Sequence, residues 1–542
     1  MKKIVLWALV ITLAFSLVFS GCSKETTVGT DDKVTVTAAF PNADDTWKED
    51  DFYKYMCDKL NMEIEFESLS TASGSEKVRI WIASGTMPDV VYTTSFRLDE
   101  YESYVKQGLI RKLPENWEND YPNVAFAMQM SGILKELKGS SNDGSVSVLL
   151  RPMDHYRYYI DDFRAAFKNG EDLAAMMEKP EYQYIDGYGF AYRKDWAQKL
   201  GIKTDYIMDM DDFMDMIRKF KEADFGGVGE TNTVGLAVDY TEAPQVFMIP
   251  FNSSYKQFSK NENGEYECGL LNEANIEGVK AYAEAFKTGI LSPDFYTLKS
   301  SDLNSLFCSE RSGAIFPRAN VSQLRALCSE FEKSNPGKKA EDCIGVCWLR
   351  SPDGTVHGWD EVNYYGVHYF NPELSDKKMA KLLELADYIS SEEGGPQVKL
   401  GIPDVDYKKE GDGYVVLREP DASGNLEAID KKYPSQKFFS YFLKAFYDHP
   451  VDTNPYAMNE FQNIRKAKLA EPLSIRKKDI AASSYAEEDY VDFFAANDVN
   501  QMLADAIVSG GDPVEIWKKK ISEIEDKAKS VADNMNKILL GK

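Results

Sequence analysis

The alternation of strand-like and helical segments is the feature that most constrains the fold of this chain. The apolar runs at 34–40, 64–69 and 89–92 have the length and composition of strands, and residues 48–60 and 75–84 between them have helical spacing. Strands that alternate with helices are typical of sheets covered by helices. The 542 residues leave room for roughly two to four units of ordinary domain size. The pattern therefore predicts an α/β architecture.

The first 22 residues have a different character from the rest of the chain. Lys2 and Lys3 precede an uncharged apolar stretch at 4–19, which is too short and wrongly flanked for a stable membrane span. We interpret residues 1–21 as a signal peptide. The cysteine directly after the cut resembles the bacterial lipobox, with Phe19 where that motif has leucine. The resemblance predicts a lipid-modified N-terminus at Cys22, with simple secretion as the alternative.

Residues 22–33 are small and polar and are predicted to form a flexible tether between the lipid anchor and the folded body. The formal net charge of the whole chain is −25, and such a surface repels nucleic acid and anionic lipid. No other stretch approaches the roughly 18 consecutive apolar residues that would span a bilayer. We therefore expect a body outside the membrane that is held only at Cys22.

The C-terminal segment 512–540 is predicted to form one long helix. Asp512 is the expected N-cap, Pro513 takes the first turn and Glu515 completes a capping box. Its apolar stripe, which begins at Trp517, alternates steps of four and three residues. Docking onto the body explains this stripe better than dimerisation does, so we expect a monomer, and a coiled coil is the alternative.

Cysteines and histidines are too sparse and scattered to predict a metal cluster. Disulfides are permitted outside the cell, but the sequence does not choose a pairing, and buried free thiols are an equal alternative. The cysteines concerned are Cys57, Cys268, Cys308, Cys328, Cys343 and Cys347. We predict neither a metal nor a cofactor.

Four short motifs, taken together, resemble those of a known family. They are residues 82–91 (IASGTMPDVV), 104–110 (YVKQGLI), 193–196 (RKDW) followed by 199–202 (KLGI), and 388–394 (YISSEEG) followed by 400–402 (LGI). Each motif alone is weak, but their order and spacing resemble the extracellular solute-binding lipoproteins of bacterial ABC importers, in the oligosaccharide-binding branch of family 1.

This resemblance implies a two-lobe, periplasmic-binding-protein-like fold of type II, with central mixed sheets flanked by helices and a ligand cleft between the lobes. We assign residues 34–160 and 300–360 to lobe 1, and residues 161–299 and 361–542 to lobe 2. The resemblance also implies a binding protein rather than an enzyme, which captures an oligosaccharide at the outer face of the cytoplasmic membrane and delivers it to ABC permease subunits.

Two segments depart from the family pattern. Many relatives carry a calcium loop after the helix that follows the RKDW-like element. Residues 224–232 keep its first carboxylate, Asp224, but place Gly226 and Val228 at two ligand positions. Because Ca²⁺ takes about six to eight oxygen ligands, we expect a metal-free turn here. The second departure is the stretch 153–186, which is longer than expected and is interpreted as an insertion around the rim of the cleft.

Ligands of open α/β sheets bind beyond the carboxyl ends of the strands, so segments that follow predicted strands are candidate contacts. Aromatic rings there suit the C–H faces of sugars, and carboxylates or amides suit their hydroxyl rims. Aromatic residues make up 13% of the chain, which fits a cleft lined with rings, although a core position is the alternative for each ring. The candidates are Asp45, Trp47, Phe96, Asp239, Tyr240, Arg318, Trp348, Trp359, Tyr364 and Tyr365.

Two other functions remain open at the level of sequence. A surface glycoside hydrolase would need two carboxylates facing each other across a cleft, and among 88 acidic residues a pair proves nothing. The chain contains no G-x-S-x-G elbow and no H-E-x-x-H helix. A lipoprotein that binds peptides is the third reading.

Overall fold

The computed structural model describes residues 33–70, 74–153, 155–156, 159–182, 189–359, 363–411, 413–418, 428–443, 455–476, 479 and 492–541. The predicted signal peptide, Cys22 and all but the last residue of the predicted tether lie outside this part of the chain. The strands are β1 (Val34–Pro41), β2 (Met62–Leu69), β3 (Val90–Thr93), β4 (Val148–Pro152), β5 (Phe190–Arg193), β6 (Ile207–Asp209), β7 (Val234–Ala237), β8 (Phe258–Lys260), β9 (Tyr266–Cys268), β10 (Ser312–Ile315), β11 (Ile344–Arg350), β12 (Val356–Trp359), β13 (Tyr364–Phe370), β14 (Tyr407–Glu410), β15 (Gly413–Val416) and β16 (Leu473–Arg476).

Two five-stranded mixed sheets organise the protein, which confirms the predicted α/β class. The strand order is β2-β1-β3-β13-β4 in the first sheet and β6-β11-β5-β10-β7 in the second. In each sheet one strand runs against the other four: β13 in the first and β5 in the second. Pairs of strands form the smaller sheets β12-β16, β14-β15 and β8-β9.

The first sheet and its helices form what we call the first lobe, described over 33–182 and 363–443. Its buried apolar side chains form one core. The first two strands pair in parallel, and Val34, Val36 and Ala38 of β1 are buried while Thr35 and Thr37 are exposed. The helices of this lobe are Asp51–Lys59, Gly74–Ser84, Leu98–Gln107, Trp117–Asp120, Pro122–Met130, Leu134–Gly139, Ile160–Lys168, Leu173–Met177, Asp376–Ile389, Gly394–Leu400, Ile429–Lys432 and Gln436–Phe442, with a 3-10 turn at Asp45–Glu49.

The second lobe is described over 189–359, 455–476, 479 and 492–541, and its buried side chains form two separate cores on its sheet. Its α-helices are Lys194–Lys199, Met210–Ala223, Ala243–Met248, Asn275–Lys287, Ser300–Cys308, Val321–Ser334, Ala340–Cys343, Pro455–Lys468, Asp492–Ala496, Val499–Val508 and Pro513–Leu539. The 3-10 turns are Glu230–Asn232, Gly269–Leu271 and Phe295–Thr297.

The pairing of the strands corrects the lobe boundaries inferred from sequence. We assigned 300–360 to lobe 1, but β10 and β11 pair in the second sheet. We assigned 361–542 to lobe 2, but β13 pairs with β3 and β4 in the first sheet. An apolar strand has no local signal for the sheet it joins, because its partners lie far away along the chain.

The C-terminal helix docks on the second lobe, as its apolar stripe predicts. Trp517, Ala528, Val531 and Met535 are buried in the core of that lobe. Asp512 caps the helix by accepting hydrogen bonds from the backbone N–H groups of residues 514 and 515. The side chain of Glu515 is 3.4 Å from the ammonium of Lys518, so its carboxylate pairs along the helix.

Two tight turns differ in what they connect. The turn at 261–264 joins the paired strands β8 and β9, whereas the turn at 351–354 leads from β11 to β12, which pairs with β16. In the stretch 153–186, Phe163 and Leu173 are fully buried in the first core, and its interpretation as an insertion around the rim of the cleft stays a prediction. The six cysteines after Cys22 are buried free thiols. Among the described helices, none is long and apolar enough to cross a membrane.

Candidate ligand-binding cleft

The carboxyl edge of each sheet lies where the chain enters that sheet from the other lobe. In each sheet the antiparallel strand begins at the edge where the other four strands end. That strand is β13, which begins at Tyr364, in the first sheet, and β5, which begins at Phe190, in the second. Both begin directly after a crossing. The four peptide steps from Trp359 to Asn363 span at most about 15 Å, so the end of β12 in the second lobe lies within that distance of the start of the first-lobe strand β13.

A cavity of about 700 Å³ opens at the carboxyl edge of the first sheet. Its walls come from the ends of β1, β2 and β3, from the start of the helix Gly74–Ser84, and from the returning segment 428–441. The lining residues are Phe40, Pro41, Asn42, Leu69, Ser70, Gly74, Ser75, Tyr92, Thr93, Thr94, Tyr365, Ala428, Ile429, Asp430, Gln436, Lys437, Ser440 and Tyr441. Such a volume is within the range of small-molecule sites in proteins.

A β-bulge presents Tyr365 to this cavity. The register between β13 and β4 shifts between Tyr364 and Val367. Within the bulge Gly366 has φ +95°, and a Cβ there would lie 2.3 Å from the hydroxyl of Tyr92. Only glycine accommodates both the dihedral angle and the close approach. Because a bulge re-aims the neighbouring side chain, Tyr365 is 46% exposed beside the cavity while Tyr364 is half-buried.

Aromatic rings form the floor and one side of the cavity. Tyr92 is buried and stacks on Phe40, with ring centres 5.2 Å apart, and burial raises the pKa of its phenol. Tyr441 meets both rings edge-on at 6.0 Å and remains 38% exposed. Among the described aromatic side chains, the strongly exposed ones are Tyr296, Tyr365 and Tyr441, and two of these three line this cavity.

Polar groups surround the rings. The hydroxyls of Ser75 and Thr93 are hydrogen-bonded at 3.1 Å. Gln436 is buried and donates to the carbonyl oxygen of Val398. The ammonium of Lys437 lies 4.0 Å from a carboxylate oxygen of Asp430, which is the limit of an ion pair. The cavity therefore combines ring faces with hydroxyl, amide and charged groups.

The matching edge of the second sheet is almost filled. Its cavity has a volume of only about 40 Å³, between Phe190, Phe316, Trp348 and the helix Ala243–Met248. Trp348 is 4% exposed and its indole N–H is buried with no hydrogen-bond partner among the described residues. A Cβ on Gly189, at the crossing, would lie 2.6 Å from this indole. The edge is thus a packed wall rather than an open pocket.

Asp239 and Arg318 stand at this wall, at the ends of β7 and β10, and both are buried. Asp239 accepts hydrogen bonds from the backbone N–H of Thr241 at 2.9 Å, from its hydroxyl at 2.8 Å and from the N–H of Glu242 at 3.0 Å. Arg318 donates to the side-chain oxygen of Asn304 at 2.9 Å. Burial lowers the pKa of Arg318, and the charge of Asp239 opposes that shift. Both side chains stabilise the local turns, so a ligand contact for either stays a prediction.

The structure separates the remaining sequence candidates. Tyr365 lies at the cavity, and Asp45 is exposed in the turn after β1. Trp47 is a core ring, 5% exposed and packed against Phe66 with ring centres 5.4 Å apart, because the turn after β1 folds back over the sheet. Tyr364 and Phe96 are half-buried and contact each other edge-on at 5.6 Å.

Two further sequence candidates, Tyr240 and Trp359, lie in the second lobe. Tyr240 is half-buried, and its hydroxyl is 3.5 Å from the side-chain oxygen of Gln501. Trp359 ends β12, but its side chain lies outside the described part of the protein. Neither observation tests a ligand contact.

Sequence reasoning missed the segment 428–441 and Tyr92. Tyr92 is the penultimate residue of β3, and the rule that selected Phe96 considers only residues that follow a strand. Lys437 and Tyr441 lie in the helix Gln436–Phe442, whose aromatic spacing indicates only a buried face. No local signal shows that this helix returns to the first sheet.

The turn that begins at Asp224, which the sequence predicts to be free of metal, is closed by the protein's own groups. The carboxylate of Asp224 accepts hydrogen bonds from the N–H groups of Val228 and Gly229, at 3.1 and 2.9 Å, and from the hydroxyl of Thr233 at 2.7 Å. These bonds lower the pKa of Asp224. No cluster of three or more metal-ligating side chains occurs among the described residues.

Comparison with known proteins supports the same fold. The chain is similar to alginate-binding protein AlgQ2 (16% identity, TM-score 0.59, 93% of this chain and 97% of that chain). It is also similar to an HMO-binding, ABC-transporter-associated solute-binding protein of Bifidobacterium longum infantis (15% identity, TM-score 0.59, 93% of this chain and 98% of that chain). A third similar structure is the ABC-transporter substrate-binding protein FusA of S. pneumoniae in complex with kestose (15% identity, TM-score 0.59, 94% of this chain and 100% of that chain). The protein therefore has the fold of the solute-binding proteins of ABC transporters, as the motif series predicted.

In sequence, the chain is 22% identical over 526 residues to lipoprotein LipO of Bacillus subtilis (strain 168), with 93% of each chain covered. No protein-family model matches it.

Proposed function

We propose that this protein is the solute-binding lipoprotein of an ABC importer and that it captures an oligosaccharide. The observation that carries the proposal is the pair of exposed tyrosines, Tyr365 and Tyr441, on a cavity of about 700 Å³ at the carboxyl edge of the first sheet. An exposed ring costs burial energy unless something covers it, and a sugar covers it with its C–H face.

The rest of the cavity supports a sugar over a purely apolar ligand. Ser75, Thr93, Thr94 and Ser440 bring hydroxyls to the lining, and Gln436 brings an amide. These groups both donate and accept hydrogen bonds, as sugar hydroxyls do. The neighbours of the same fold include proteins named for alginate, HMO and kestose binding, which supports this class of ligand.

The proposed protein captures the oligosaccharide without cleaving it. Canonical glycoside hydrolysis uses two carboxylates that flank the scissile bond. The described lining of the cavity contributes one, Asp430. The three neighbours compared above are binding proteins rather than enzymes.

A thermal-shift screen against oligosaccharides, peptides and buffer tests the proposal, with the products analysed afterwards by chromatography. We expect a rise in melting temperature with oligosaccharides and no new products. A rise only with peptides would assign the cavity to a peptide-binding lipoprotein. Cleavage of a glycan that is abolished by Asp430→Asn would make the protein a hydrolase.

The membrane anchor is tested separately, because Cys22 lies outside the described residues. Among the described residues the first core begins at Val34. The small, polar tether before it is predicted to contribute nothing to this core. Cys22→Ala should leave the melting temperature unchanged and release the processed protein from the membrane fraction into the medium. Retention of the processed variant in the membrane would show that something other than a lipid at Cys22 holds it.

A further inference from the structure

Two cations at the first-lobe cavity have no close carboxylate partner. The ammonium of Lys437 is 4.0 Å from Asp430, and 51% and 42% of the two side chains are exposed. Arg151, at the end of β4, lies with its guanidinium carbon 4.6 Å from the ring centre of Tyr441. Its Nε donates to the carbonyl oxygen of Ser440 at 3.3 Å. Arg151 forms no ion pair with any residue of the described ranges.

The local charge at this cavity is opposite to that of the whole chain. Among the described residues, the charged side chains of the lining are Lys437 and Asp430, and Arg151 contacts the lining ring of Tyr441, whereas the chain as a whole has a formal net charge of −25. At physiological ionic strength the Debye length is about 8 Å, so distant acidic residues are largely screened. The groups at the cavity therefore decide whether an anionic ligand is accepted.

We propose that the cavity selects an acidic oligosaccharide and that Arg151 and Lys437 hold a carboxylate of one of its uronic acid residues. The inference rests on the proposed function and adds the charge class of the ligand. A guanidinium matches a carboxylate with two parallel N–H donors, and the contact of Arg151 with the ring of Tyr441 and its hydrogen bond to the carbonyl oxygen of Ser440 hold it in place. Tyr365 stacks on a sugar ring, and Lys437 adds a second charged donor.

The test compares ligands that differ only in charge. Calorimetric titrations of the protein, purified from membranes in detergent, use tetragalacturonate and its fully methyl-esterified form, and the same pair made from mannuronate and from glucuronate. For at least one pair we expect the acid to bind roughly tenfold tighter than its ester, because a hydrogen bond to a charged group contributes more than one between neutral groups. The affinity for the acid should fall as NaCl is raised, and that for the ester should not.

Variants of the two cations connect this selectivity to the proposed residues. Lys437→Gln and Arg151→Gln should each weaken binding of the acid about tenfold and leave the affinity for the ester unchanged. Asp430→Asn is the matched control, because it removes a negative charge instead of a positive one, and it should strengthen binding of the acid. Melting temperatures of all three variants show whether Arg151→Gln also disturbs the packing on Tyr441.

The outcomes separate this inference from the proposed function. Equal or tighter binding of the esters, or equal losses for acid and ester in both variants, would overturn the selectivity for acidic ligands while oligosaccharide capture stands. The same conclusion follows if neutral oligosaccharides bind and no uronate does. If no saccharide binds, both proposals are wrong.

Discussion

The two lobes use the same edge of similar sheets in different ways. Each sheet combines four strands in one direction with one antiparallel strand that follows a crossing. The first lobe leaves about 700 Å³ at its carboxyl edge, with Tyr365 and Tyr441 exposed. The second lobe leaves about 40 Å³ and buries Trp348. Strand ends thus locate the cleft, but the packing beyond them decides which lobe offers space.

Two arginines show the same contrast. Arg193 of the second lobe has no exposed side-chain surface, and its guanidinium is 2.7 Å from Asp195 and 2.9 Å from Glu310. A buried charge with such partners is part of the framework, because removing a partner leaves it uncompensated. Arg151 of the first lobe has a ring and a carbonyl oxygen as neighbours instead. The neighbours of Arg151, rather than its residue type, make it the candidate for binding a ligand.

The largest expected effect tests whether the wall of the second lobe is a core or a ligand contact. Trp348→Ala should reduce the free energy of unfolding by about 3–5 kcal/mol, because it removes a large buried ring. Urea unfolding measures the loss. Trp348→Phe is the control and should lose less, since its missing indole N–H has no hydrogen-bond partner in the described structure. Normal stability of Trp348→Ala with selective loss of ligand affinity would make Trp348 a ligand contact.

The stability of the first lobe should fall at acidic pH. His368 is buried between the rings of Tyr92 and Phe442, and burial, assisted by the charge of Arg151, lowers its pKa to about 3. The unfolded histidine has a pKa of about 6.5, so the unfolded state binds the extra proton first as the pH falls. Its contribution to stability is full above that value and is lost as the pH falls towards 3.

Between pH 6 and pH 4 this group alone should remove about 2 kcal/mol of stability. The measurement is urea unfolding of the wild type and of His368→Leu at both pH values. The variant should lose less stability than the wild type over this range. Identical losses would show that His368 does not control the acid response of the first lobe.

The exposed ring of the first lobe should matter for binding and not for folding. By analogy with the stacking of bases on aromatic side chains, Tyr365→Ala should weaken oligosaccharide binding by about 1–3 kcal/mol. Because Tyr365 is 46% exposed, the melting temperature without ligand should hardly change. Tyr296→Ala is the matched control, since Tyr296 is 50% exposed but does not line the cavity. Equal affinities of the two variants would remove Tyr365 from the site.

The smallest expected effect concerns the turn around Asp224 in the second lobe. Its carboxylate is already occupied by two backbone N–H groups and a hydroxyl, so we predict that EDTA and added Ca²⁺ leave the melting temperature unchanged. Asp224→Ala should lower it slightly, with or without EDTA. A rise on adding Ca²⁺ that is absent from Asp224→Ala would show that the turn binds the metal.

Local patterns predicted the elements of the first lobe well. The predicted strand at 34–40 and helix at 75–84 are observed as Val34–Pro41 and Gly74–Ser84. In the second lobe, Phe213, Met216, Ile217 and Phe220 have helical spacing, and the helix Met210–Ala223 buries them. These features could be predicted because burial of one face imposes a period on the residues of a single segment.

The candidate site could be predicted only in part. Tyr365, one of the aromatic candidates, lies at the cavity. Trp47 and Trp348 were selected for the same ring chemistry, yet both are buried. An aromatic ring that follows a strand either covers the core or faces the cleft. The residues next to it in the sequence do not distinguish these two positions.

The sequence alone determined the α/β class, the order of the first strands and helices, and the family motifs, because each depends on residues that are close along the chain. The tertiary structure decided which sheet receives β10, β11 and β13, which edge stays open, and that the helix Gln436–Phe442 brings Lys437 and Tyr441 to Tyr92. These relations depend on contacts between residues that are far apart along the chain, and packing of the whole core selects among them.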